Sequence, residues 1–168
     1  MSRIRFALGA LLLVLPAALV SRPARAQGLP LTVNDVGIGI GDVPRVVGLR
    51  INFRDHSDFE VHGVNITVWT PEGDLRGEVT GVALGLPATG ASRIKGVAAG
   101  IFGVGADRSI DGIGVGGLGI GAGGRLNGIM VGGLGIGAGG DVTGITLGGL
   151  GVGAGGDVQG LAIGGLGI

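Results

Sequence analysis

The chain has 168 residues, 42 of them glycine and none cysteine, with 3% aromatic residues, 14% charged residues and zero formal net charge. Collagen is excluded, because there is no Gly-X-Y triplet and only 6 prolines. A disordered polyelectrolyte is excluded too, because disorder needs low hydrophobicity with high net charge.

The first element is a secretory signal. Arg3 and Arg5 supply the positive region, and the run from Phe6 to Val20 is apolar but too short for a membrane span. Ala24-Arg25-Ala26 has the small-x-small pattern of a cleavage site, which makes residues 1–26 a signal peptide. Cleavage removes four of the 12 basic residues and none of the 12 acidic ones, leaving a net charge of −4. A mildly acidic chain has no clustered lysine and arginine for nucleic acid. Residues 27–47 read as a leader or N-terminal cap.

A tandem repeat fills the remainder. Gly96, Gly112, Gly128, Gly144 and Gly160 each open a Gly-apolar-x-apolar unit, at a spacing of 16. Residues 96–168 are these regular glycine-rich repeats, the last incomplete. Gly48, Gly63 and Gly81 open degenerate copies over residues 48–95. A helix is a poor reading, because glycine costs about 1 kcal/mol per helical position relative to alanine. The local period is two, with glycine pairs where the chain must turn.

The fold predicted is therefore all-β, a parallel β-solenoid with coils of about 16 residues. In the fourth regular copy, Ile145 and Leu147 share an inward face. The phase then slips at Gly148-Gly149, so that Leu150, Val152 and Ala154 also point inward, followed by Val158. Leu118, Leu134, Leu150 and Leu166 form one inward column. Ile120, Ile136, Val152 and Ile168 form another. Gly114, Met130, Thr146 and Ala162 fall outside. The alternative architecture is an antiparallel outer-membrane β-barrel with one strand per repeat. The missing aromatic girdle and the broken alternation count against it.

The units GLRINF, GVNITVW, GVALGLP, GVAAGIFGVGA and GIGVGGLGIGAGG resemble those of poorly characterised bacterial surface-repeat proteins. These carry tandem Gly-apolar-x-apolar-Gly units after an export signal. The resemblance covers residues 48–168 and implies an envelope or surface location and no enzymatic activity. It supplies no functional residues.

Candidate chemistry is sparse. Gly135-Ile136-Gly137-Ala138-Gly139-Gly140 matches G-x-G-x-x-G, but no helical pattern follows, so no dinucleotide site is expected. Calcium needs several hard oxygen ligands, and each unit has at most one aspartate at its corner. Nucleophilic catalysis lacks cysteine, and there is no histidine near the regular repeats. The most polar stretch holds both histidines. There His56, Asp58, Glu60 and His62 fall on one face of an extended strand and are the candidates for a divalent metal. In the bland reading Phe53, Phe59 and Val61 face inward and the polar set is a solvated outside. No cofactor is expected.

What remains is surface. Gly119, Gly121, Gly135, Gly137, Gly151 and Gly153 would form a bare outer ridge open to another sheet. The sequence ends at Ile168 partway through a unit, which points to a longer array or to end-to-end stacking. The functional expectation is a non-enzymatic exported structural or adhesive repeat protein of the periplasm, outer membrane or cell surface. It would self-associate through an open end or the glycine face, with an envelope partner or membrane contact. A membrane-embedded barrel or pore is the alternative.

Overall fold

A computed structural model describes residues 28–55, 58–71 and 73–168. The expected signal peptide and His56 lie outside them. Among the described residues there are strands and no helix. β1 (Leu29–Val33) and β2 (Val36–Ile40) form an antiparallel hairpin. Its two-residue turn is Asn34-Asp35, both at positive φ. Short polar side chains tolerate that conformation, which suits the twist of the flanking strands.

Every later pairing is parallel. β3 (Arg45–Asn52), β4 (Glu60–Thr67) and β5 (Glu78–Gly85) stack on β2 in order. β6 (Ala88–Gly100) and β7 (Gly103–Gly116) follow, each wrapping around a corner. From there each coil divides into a short and a long strand. The short strands are β8 (Gly119–Ala122), β10 (Gly135–Ala138) and β12 (Gly151–Ala154). The long ones are β9 (Arg125–Gly132), β11 (Val142–Gly148) and β13 (Val158–Gly164). The molecule is a flattened β-solenoid with a long-strand sheet and a short-strand sheet back to back. The barrel alternative is overturned by this pairing: each repeat strand lies parallel to its equivalent one repeat away, whereas one strand per repeat in a barrel requires antiparallel neighbours, which among the described residues occur only in the β1–β2 hairpin.

One column of glycines sets the register. Gly37, Gly48, Gly63, Gly81, Gly96, Gly112, Gly128, Gly144 and Gly160 sit directly over one another. All have φ between +113° and +146°. A Cβ on Gly128 would overlap the carbonyl oxygen of Gly112 in the coil below. Only glycine allows that φ and that approach together. The column also extends one coil upstream of Gly48, so β2, within the segment read as a leader or cap, is itself a rung.

The core between the sheets is thin. Ile110, Leu126 and Val142 fill one inward column, and Ile120, Ile136 and Val152 fill the one facing it. Ala122, Ala138 and Ala154 complete the short-strand side. The expected inward positions of Val152 and Ala154 hold.

The long strand, however, carries the opposite phase. Met130 and Thr146 are buried, whereas Ile145 and Leu147 face out. Leu118, Leu134 and Leu150 are half exposed at the corner, and Leu166, Ile168 and Phe53 are exposed as well. Two physical reasons account for this. First, the chain does not slip at the register glycine. A single alternation runs from Leu126 through Met130 to Gly132, so burying Leu126 buries Met130 and expels Ile129 and Val131. Second, the corner is too narrow for a side chain. A Cβ on Gly116, Gly132 or Gly148 would overlap the carbonyl oxygen of Gly119, Gly135 or Gly151 across the bend. The inward corner position therefore holds a hydrogen atom, and the neighbouring leucine turns outward. Residue size in the inner column compensates from coil to coil: a Cβ on Gly114 would come within 2.8 Å of Met130 Sδ.

Candidate functional site

The reversed phase creates the most distinctive surface of the molecule. Two columns of aliphatic side chains run along the outside of the long-strand sheet. One comprises Ile38, Leu49, Val64, Val82, Val97, Ile113, Ile129, Ile145 and Leu161. The other comprises Ile40, Ile51, Ile66, Leu84, Ala99, Val115, Val131, Leu147 and Ile163. Ile113, Ile129 and Ile145 are 42%, 43% and 42% exposed. Coils above and below cover their flanks, so that fraction is the whole outward end of the side chain. At roughly 65 Å² per residue, the two columns leave on the order of 1,100 Å² of apolar surface open, against about 300–600 Å² for the largest patch on an ordinary monomer. The corner leucines and a stacked Phe53–Trp69 pair, with ring centroids 6.2 Å apart, widen it along one edge.

The ladder has a dent. Ala99 interrupts a column of larger residues, and a shallow groove of about 410 Å³ opens there between Leu84 and Val115, with Leu86 and Ile101 at its corner side.

A charged border runs along the other edge. Arg45 pairs with Glu60 at 3.3 Å. Glu78 receives Lys95 at 2.7 Å and Arg93 at 3.4 Å, and Arg125 lies 3.6 Å from Asp111. The hydrogen bond from Lys95, and then the charges of Lys95 and Arg93, hold Glu78 below the ordinary glutamate range. Glu60 is likewise lowered, first by its hydrogen bond with His62 and then by Arg45. These ion pairs are exposed and contribute little to stability.

The metal candidates lie in and beside this border. Glu60 and His62 face outward on β4, with His62 Nε2 3.0 Å from Glu60 Oε1. Asp58 is exposed and 3.9 Å from Arg76. Each carboxylate thus faces a cationic side chain, and among the described residues no three His, Asp or Glu side chains converge. Phe59 and Val61 are buried, as the alternation predicts.

No family model, no curated protein and no solved structure matches this chain.

The opposite, short-strand face carries almost no side chains. A Cβ on Gly121, Gly137 or Gly153 would meet nothing within 4 Å, so these glycines do form a bare outer ridge.

Where the early coils lack a short strand, the interior is polar. Arg50 and Asp55 are both fully buried and pair at 2.6 Å. Arg50 also donates to Asn65 Oδ1 at 3.0 Å and to the Val43 carbonyl at 2.9 Å, and its guanidinium lies 4.7 Å from the Phe59 ring centroid. Asp55 accepts from Asn52 and from Thr67 as well. Every oxygen of this carboxylate is therefore engaged within the protein. The cluster is a structural plug, holding the loops of the irregular coils against β3 and β4.

The sequence conceals the outward ladder, because hydrophobicity alone places apolar residues inside. A signal was present. Asn127, Thr143 and Gln159 precede the register glycine by one residue and share parity with Ile129, Ile145 and Leu161. Placing the polar residues outside places the isoleucines outside with them.

Proposed function

We propose that this chain is a non-enzymatic, exported structural or adhesive repeat protein of the bacterial envelope or surface, and that the apolar ladder is its docking face. The single observation that carries this reading is a flat apolar sheet far larger than a solitary soluble protein exposes. The β-solenoid fold suits a structural role, because coils stack into a rigid rod whose outer columns repeat at one spacing. The signal-like N-terminus, with its Ala24-Arg25-Ala26 site, supports export, as does the resemblance of the repeats to surface-repeat units.

The test is fractionation of the full chain expressed in a bacterial host, with protease added to intact cells. Processing after Ala26 and recovery in the envelope or at the surface is the expected outcome. An unprocessed chain that remains soluble in the cytoplasm would refute the export reading. For the face itself, Ile129→Lys with Ile145→Lys should abolish partner capture or assembly while leaving the fold intact. Both side chains point outward, so neither lysine need enter the core.

A further inference from the structure

This inference rests on the reading of the ladder as a docking face and names its occupant. We propose that the occupant is a second copy of this chain, packed face to face about a two-fold axis that lies along the strand direction, midway between the Gly96 and Gly112 rungs.

The argument starts from side-chain volume. The ladder is not uniform along its length. Its N-terminal half carries Val64, Val82 and Val97, and its C-terminal half carries Ile113, Ile129 and Ile145 at the same position of the coil. A two-fold axis between the Gly96 and Gly112 rungs sets each of these three valines against an isoleucine, while toward the ends Leu49 meets Leu161 and Ile66 meets Leu147 of the partner copy. Val97 meets Ile113 of the partner copy, Val82 meets Ile129, and Val64 meets Ile145. The dent at Ala99 is matched by a larger residue as well, since Ala99 meets Val115 of the partner copy.

Charge selects the same arrangement. Rotation about the strand direction lays the charged border of one copy on that of the other. Lys95 then faces Asp111 of the partner copy, Glu78 faces Arg125, and Arg45 faces Asp157. Each attraction occurs twice, as a two-fold interface requires. One pairing, Glu60 with Asp141, is like-charged, and there Glu60 keeps its own Arg45 and His62. Rotation about the long axis of the solenoid would instead set the charged border against the exposed corner leucines, desolvating charges with nothing to pair them.

The area suffices. Eight rungs at about 4.8 Å and eight residues at about 3.3 Å give a face of roughly 34 by 26 Å. Two such faces bury roughly 1,800 Å², a standard-size stable interface. Stacked sheets of this kind lie about 10 Å apart.

The experiment uses the absence of cysteine from the chain. Val64→Cys and Ile145→Cys are made separately in the full-length protein and treated with a short bismaleimide. In the proposed register an equimolar mixture cross-links to a covalent dimer. Either variant alone does not, because its own thiols sit about five rungs, roughly 24 Å, apart across the interface. Equal cross-linking of each variant alone would overturn the register. Sedimentation of the wild-type chain as a dimer, and of Ile129→Lys as a monomer with an unchanged circular dichroism spectrum, is expected alongside. A wild-type monomer that instead floats with phosphatidylglycerol vesicles would overturn the pairing and leave the docking face standing. A monomer that binds neither itself nor vesicles would overturn both.

Discussion

Alanine at Gly128 and alanine at Gly121 are the same chemical change seven residues apart, and the structure assigns them opposite consequences. Gly128 has φ +122° and belongs to the register column. Alanine there is strained by about 1–3 kcal/mol from the backbone conformation alone. Its Cβ would also lie more than about 1 Å inside ordinary contact with the Gly112 carbonyl oxygen. Relieving that overlap pushes two coils apart and weakens the ladder hydrogen bonds on either side, each worth about 1 kcal/mol. The expected loss is about 3–5 kcal/mol, a large share of the roughly 5–15 kcal/mol that holds a domain together. Gly121 has no positive φ, and a Cβ there meets nothing within 4 Å. Alanine at that site restricts the unfolded chain and should be neutral or stabilising by up to about 1 kcal/mol. Urea unfolding followed by circular dichroism measures both, with the slope checked for a change in surface exposed. Equal effects at the two positions, or a harmless Gly128→Ala, would refute the coil-over-coil contact from which the fold is built.

Three further outcomes follow from particular contacts. Leu126→Ala should cost about 2–5 kcal/mol because Leu126 is fully buried, whereas Leu134→Ala at the half-exposed corner should cost under about 1 kcal/mol; thermal melts that rank the two the other way would reverse the assigned faces. Asp55→Ala should cost about 3–5 kcal/mol by removing the one fully buried carboxylate from the Arg50 guanidinium and leaving it only the half-exposed Asp42 at 3.5 Å, and a variant as stable as wild type in urea would show that the cluster is not a closed plug. Lys95→Met should raise the titration midpoint of Glu78 toward the ordinary 4.5, read by carboxyl NMR. Because the folded-state value is depressed, the Glu78 pairing stabilises the fold above the unfolded value and is lost as pH falls through the folded one. The variant should therefore lose less stability on acidification than wild type.

The sequence by itself determined the repeat, the strand type and the stacking. Glycine at Gly96, Gly112, Gly128, Gly144 and Gly160 cannot serve a helix cheaply, and a fixed 16-residue period puts equivalent residues in register. Parallel pairing of coil on coil follows, and with it the inward Val152 and Ala154. The tertiary structure alone decided which face of the long strand is buried. An alternating strand has two phases, and a shift of one residue exchanges its faces. The choice was made by the corner, where backbone meets backbone at Gly132 and Gly135 and no leucine fits. That contact joins residues on two different strands around a bend, so local periodicity could not weigh it. The Arg50–Asp55 plug is likewise a product of the tertiary fold, since its members come from β3, β4 and the loop between them and meet only once the coils have stacked.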